Sequence, residues 1–109
     1  MSEQDVVRAL AALAQLSRLQ IFRQLVVAGV AGMTPTQLCA ALGLPNTSLS
    51  FHLKELTHAN LITQERDGRN LIYRASFGSM NEVLSFLTVN CCEGQSCELV
   101  EVAAPCENC

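Results

Sequence analysis

The sequence predicts a mainly α-helical domain interrupted by one β-hairpin, in the order helix, helix, helix, helix, hairpin, helix. Apolar residues recur at three- and four-residue spacing through the first half and again after residue 79, the period of a helix with one buried face. Between those stretches, Asp67-Gly68 separates two β-prone runs, a strong hairpin signal. Gly29, Pro35 and Gly43 fall at the joints of the periodic segments, where chain breaks are expected.

Each element has its own signal. Residues 5–15, DVVRALAALAQ, place Val6, Leu10 and Leu13 on one helical face with alanines between. In LSRLQIF, Ser17 and Gln20 fit a capping box and Leu16 with Ile21 fit the hydrophobic staple around it, so a second helix is expected from about Ser17 to Gly29. In MTPTQLCAALG, Thr34 can cap, Pro35 suits the first helical position, Gln37 can reach back, and Gly43 stops a short third helix. LPNTSLSFHLKELTHANL follows, with Asn46 as the expected cap and Leu49, Leu53 and Leu56 as the inward face. A short helix, a tight glycine-containing turn and a second amphipathic helix make a helix-turn-helix. LITQERDGRNLIYRAS then predicts the hairpin, with Arg66, Arg69 and Arg74 around its turn. SMNEVLSFLTVN predicts a fifth helix, capped by Ser79, with Met80, Val83, Leu84 and Leu87 on one face. The domain is expected over residues 1–90. Residues 91–109, CCEGQSCELVEVAAPCENC, have no sustained period and are expected to form an acidic, cysteine-rich, loop-like tail.

At 109 residues, half of them apolar, the chain fits one globular domain. A domain this small buries only about two-thirds of its unfolded surface, so dimerisation would enlarge its core. The net charge of −3 looks unsuited to nucleic acid, but it is unevenly spread. All seven Lys and Arg and six of the ten acids lie within residues 1–90, while Glu93, Glu98, Glu101 and Glu107 lie beyond with no cation among them. The body is nearly neutral, so DNA binding must rest on locally placed groups and on a dimer rather than on a general field. No apolar run approaches the roughly 18 residues of a membrane span. The N-terminus lacks a basic region followed by an apolar core, so a cytoplasmic location is expected. Six cysteines there stay mostly reduced, which favours metal binding or redox chemistry over a disulfide framework.

A helix-turn-helix followed by a hairpin and a closing helix is a winged helix-turn-helix layout. LSRLQIF, TPTQLCAALGLPNTSLSFHLKELTHANLI and RDGRNLIYR resemble the ArsR family of metal-responsive repressors, over roughly residues 5–90. The S-x-H-L-K-x-L core, Ser50 to Leu56, carries the most specific part of that resemblance. It implies a homodimer built on the first and last helices, with the fourth helix in the major groove of operator DNA. The residues agree. With Leu49, Leu53 and Leu56 inward, Thr47, Ser48, Ser50, Phe51 and Lys54 lie mostly outward. Hydroxyls and the Asn46 amide can bond to base edges or phosphates, and Lys54 can hold a phosphate. Relatives often carry Arg or His where this chain has Phe51. Two readings stay open for it: contact with a thymine methyl, or packing against the wing. His52 is either a phosphate donor or a helix-packing histidine. Arg66 and Arg69 either enter the minor groove or hold phosphates, or they are solvated charges at a hairpin tip.

Cys91, Cys92 and Cys97 supply three soft donors within seven residues, with Gly94 allowing the chain to fold back. A trivalent thiophilic ion such as arsenite or antimonite takes three thiolates in a pyramid, whereas zinc in a structural site takes four ligands. Adjacent cysteines meet ordinary disulfide geometry poorly but can hold one ion together. The surrounding glutamates disfavour thiolate, which does not handicap capture of neutral As(OH)₃ by neutral thiols. They do disfavour a thiol enzyme, which needs a low-pKa cysteine in an electropositive setting. Against the family, the chain departs at a known place. Thr34, Thr36 and Cys39 stand where the founding arsenic repressors carry three thiols, so that site does not transfer, and Cys39 is expected as a small core residue. The last helix offers only Glu82 and no His, so the zinc-sensor site does not transfer either. Some family members carry a vicinal cysteine pair and a third cysteine after the last helix, and this tail is similar to theirs. Cys106 and Cys109 form a terminal C-x-x-C that can complete a zinc site, take a second ion, or remain an untethered tail. The expected function is a homodimeric, non-enzymatic repressor released by arsenite or antimonite. A redox-sensing, disulfide-forming repressor and a zinc-binding repressor of the same fold are the alternatives.

Overall fold

The computed structural model describes residues 1–89. Five helices and one hairpin follow in the expected order: α1 Glu3–Leu13, α2 Leu16–Ala28, α3 Pro35–Leu42, α4 Asn46–His58, β1 Ile62–Asp67, β2 Asn70–Ala75 and α5 Phe77–Thr88. A single 3₁₀ turn, Gly29–Ala31, extends α2. The strands pair antiparallel from Ile62 with Ala75 to Asp67 with Asn70, which leaves Gly68-Arg69 as a two-residue loop. The described residues therefore form a winged helix-turn-helix.

Helix ends follow side-chain chemistry, not always at the residues expected. Thr34 and Gln37 form the predicted capping box, with Pro35 in the first turn and Gly43 left-handed at the C-cap. A second capping box, Ser2 with Asp5, starts α1 and holds the Asp5 carboxyl below its ordinary range, chiefly through the backbone N–H of Ser2. α2 departs from expectation. Its cap is Gln15, whose side chain accepts from Arg18 N at 2.8 Å, and Ser17 already lies inside the helix. The chain turns at Ala14 and leaves Gln15 extended, so the cap falls two residues early. The staple fails with it: Leu16 is 69% exposed. α5 is likewise capped earlier, by Ser76 rather than Ser79, the Ser76 hydroxyl accepting from Ser79 N.

One core gathers Ile21, Phe22 and Leu25 of α2, Leu38 of α3, Leu49, Leu53 and Leu56 of α4, and Leu61, Ile62 and Tyr73 of the hairpin region. Each fully buried leucine contributes about 1.5–3 kcal/mol from burial alone. On α1 the core face is Val6, Ala9 and Ala12, with Leu13 partly buried; Leu10, expected inward, is 41% exposed. The alanines win because small side chains let α1 approach α2 and α4 closely. On α5 only Val83 is buried, with Phe77 and Met80 partly so, while Leu84 and Leu87 of the same expected face lie exposed.

The wing is pinned at its base. Met33 and Tyr73 exchange both backbone hydrogen bonds, Met33 N to Tyr73 O at 2.9 Å and Tyr73 N to Met33 O at 2.8 Å. Gly32 comes just before this bridge, and a Cβ there would stand 2.6 Å from Tyr73 O. Arg74 donates from Nε to Val30 O at 2.6 Å and pairs with Glu65 at 2.8 Å. Arg74 is thus spent on bracing the hairpin, which separates it from the other two arginines of the predicted turn.

Candidate nucleic-acid interface

α4 presents two opposed faces. Leu49, Leu53 and Leu56 are buried. At 100° per residue, Thr47, Phe51, Lys54 and His58 fall on the opposite side and Ser50 on its flank, and all five are exposed. Ser48 lies at the margin, partly buried. The stripe combines hydroxyls, an aromatic ring and an ammonium group.

The N-terminus of α4 differs from the other four α-helices. Ser2, Gln15, Thr34 and Ser76 cap theirs through side chains. The N-cap of α4 is Pro45, with no side-chain cap bond. Asn46, expected as the cap, is the first helical residue. Its Oδ1 accepts from Cys39 Sγ at 3.0 Å, tying α3 to α4 across the turn. Unclaimed first-turn N–H groups and the positive end of the helix dipole make this terminus receptive to an anion.

Beside the stripe lies a groove of about 320 Å³ between α4 and the wing, bordered by Pro35, Ser50, Lys54, Thr57, Gln64 and Tyr73. Gln64 reaches it from β1 and was not singled out by sequence; strand alternation, which places it on the same hairpin face as Ile62 and opposite Tyr73, was the available signal. Arg66 and Arg69 stand exposed at the hairpin tip, on either side of Asp67-Gly68. The structure therefore groups Thr47, Ser50, Phe51 and Lys54 on one helix face. It sets Asn46 at the head of that helix and the two arginines on the wing.

Phe51 is 56% exposed and does not join the core. Its ring meets that of His52 edge-on, with centroids 5.8 Å apart and planes at 66°. His52 is partly buried, and its Nδ1 is enclosed with no hydrogen-bond partner among the described residues. Burial, and secondarily Arg18, push its imidazole below the ordinary histidine value. The enclosed Nδ1 and partly buried ring favour the helix-packing reading.

Cys39 is partly buried against the core, as expected of a small core residue. Thr34 caps α3 and Thr36 is exposed beside it. Among the described residues, no three His, Cys, Asp or Glu side chains converge on a point where a metal ion would sit. Cys91, Cys92, Cys97, Cys106 and Cys109 lie outside the described residues. Among the described residues no helix is long and apolar enough to cross a membrane.

Residues 13–65 match the model of a helix-turn-helix domain family. No curated protein matches the sequence significantly. Among solved structures, the chain is similar to an ArsR-like transcriptional regulator from Rhodococcus sp. RHA1, at 25% identity and TM-score 0.70, covering 77% of this chain and 76% of that one. It is also similar to a protein described as a possible transcriptional regulator for arsenical resistance, at 25% identity and TM-score 0.62, covering 88% and 93%. A homodimeric winged helix-turn-helix DNA-binding domain from Mycobacterium bovis shares the fold at 21% identity and TM-score 0.62, covering 88% and 97%. The chain is thus a winged helix-turn-helix protein, similar along most of its length to ArsR-like transcriptional regulators.

Proposed function

We propose that this chain is a transcriptional repressor, not an enzyme, that binds operator DNA as a homodimer in the cytoplasm. In this reading arsenite or antimonite, held by Cys91, Cys92 and Cys97, releases it. The observation that carries the DNA reading is the exposed polar stripe of α4 headed by a helix terminus without a side-chain cap. Hydroxyls and Asn46 meet base edges, Lys54 and the first-turn N–H groups meet phosphates, and Arg66 and Arg69 extend the contact from the wing.

Dimerisation is supported by apolar surface left on α1 and α5, which touch each other. Val7 and Leu10 on α1 and Leu84, Phe86, Leu87 and Val89 at the end of α5 are all exposed. A second copy covering these faces would finish the hydrophobic core and hold two recognition helices at the fixed separation that DNA half-sites require.

The metalloid reading is supported by three thiols beginning three residues after the end of α5, and by the likeness to a possible regulator for arsenical resistance. Drawing Cys97 onto Cys91 and Cys92 would act at the end of a dimerisation helix and change the spacing between recognition helices. A coupling of roughly 2–3 kcal/mol would weaken DNA binding by about one to two orders of magnitude. Cys106 and Cys109 have an auxiliary role at most.

A gel-shift titration with reduced full chain tests this. Arsenite or antimonite should release DNA, while zinc and peroxide should not. Serine at Cys91, Cys92 or Cys97 should abolish release without weakening binding in the absence of arsenite. Release by zinc or peroxide alone would replace the metalloid reading with the zinc or redox alternative.

A further inference from the structure

We propose that Phe51 reads the 5-methyl group of a thymine in each operator half-site, which makes it a specificity-determining residue. This rests on α4 being the DNA-reading helix. Phe51 lies about 200° around that helix from buried Leu49, at 100° per residue, so its ring points away from the core. It shares the exposed stripe with Thr47, Ser50 and Lys54. More than half of the residue is open to solvent, and it has no place in the core. Its one aromatic neighbour among the described residues is His52, not Tyr73 of the wing.

The chemistry narrows what such a ring can recognise. A phenyl group neither donates nor accepts a conventional hydrogen bond, so it cannot read the polar edges that distinguish most base pairs. Nor does it attract phosphate. The apolar feature of the major groove is the thymine methyl. Hydroxyls on Thr47 and Ser50 bond to either donors or acceptors and discriminate weakly, so the sharpest selection on this face falls to Phe51. The edge-on contact with His52, itself half-enclosed, restrains the ring before DNA arrives. Little conformational freedom is then lost on binding.

The experiment uses the reduced full chain and an operator recovered by selection from a random duplex pool. Each thymine is replaced singly by uracil, which deletes the methyl and keeps the hydrogen-bonding edge. Uracil at that position in one half-site should weaken binding about 4-fold, and at both symmetric positions about 15-fold, the scale of one buried methyl-sized group each. Phe51→Ala should bind the thymine and uracil operators equally. Because the side chain is exposed, that variant should keep the circular dichroism spectrum and urea midpoint of the parent. Equal binding of every uracil operator by the parent would overturn the assignment. So would an undiminished thymine preference in Phe51→Ala. Recovery of no preferred sequence from the pool would overturn the DNA reading and this assignment with it.

Discussion

Replacing Gly32 by alanine should dislodge the wing. Gly32 holds φ 68° and ψ −173°, a backbone region that is essentially glycine-only. Forcing another residue there costs about 1–3 kcal/mol. The new Cβ would also stand 2.6 Å from Tyr73 O, 2.7 Å from Ile72 Cγ2 and 2.9 Å from Arg74 Cγ. The first of these is strand backbone, which cannot swing away as a side chain can. The strand must retreat, loosening the two Met33–Tyr73 hydrogen bonds, each contributing about 1 kcal/mol. The total is about 3–5 kcal/mol, against the roughly 5–13 kcal/mol expected for about 90 ordered residues. Gly29→Ala supplies the control. Gly29 has φ 64° and ψ −140°, yet nothing lies within 4 Å of a Cβ added there. It carries the backbone cost without the collision. Urea unfolding followed by circular dichroism, at one fixed protein concentration, should show Gly32→Ala losing about 2 kcal/mol more than Gly29→Ala. Equal losses would refute the idea that contact with β2, rather than backbone conformation, makes this position intolerant.

The remaining predictions concern the interface and the helix that carries it. Lys54→Ala should weaken binding to all DNA sequences about equally and flatten the log-affinity against log-salt slope by about one per subunit; an unchanged slope would show that Lys54 meets no phosphate. Thr34→Ala removes the capping-box hydroxyl of α3 and should cost about 1 kcal/mol in urea unfolding, with no loss expected if water replaces that bond fully. His52 is held below its ordinary value by burial and by Arg18, so the folded state takes up this proton less readily than the unfolded chain. Its contribution to stability is therefore full above about pH 6.5 and declines as pH falls from there towards the folded-state value. His52→Gln should remove that part of the acid sensitivity, and urea midpoints of parent and variant that run parallel from neutral to mildly acidic pH would contradict it.

Much of the candidate interface was legible in the sequence because one helix supplies most of it. Once Leu49, Leu53 and Leu56 are placed inward, helical geometry alone sends Thr47, Ser50, Phe51 and Lys54 outward. The structure bears this placement out for those four, while Ser48, expected outward with them, is partly buried. Asn46 shows the limit of local reading. Its type suits a cap, but the partner that claims its oxygen is Cys39, seven residues away on another helix. Arg74 shows the same limit. By sequence it belongs with Arg66 and Arg69, while in space Val30 and Glu65 take its guanidinium. The thiol cluster, which carries the metalloid reading, is a finding of sequence alone.

What the sequence determined by itself is the order of elements, the Thr34 capping box, the hairpin turn and the inward leucines of α4. All of these depend on residues within about four positions of one another, where backbone geometry fixes which side chains meet. Tertiary structure decided which residues of α1 and α5 are buried, where α2 and α5 begin, and how the wing is anchored. Those outcomes depend on how closely whole elements approach. Alanines brought α1 in where Leu10 was expected, and the bare backbone of Gly32 lets Met33 meet Tyr73 across forty residues of chain. No local pattern encodes such distances, because they are set by the volume of every side chain packed between the elements.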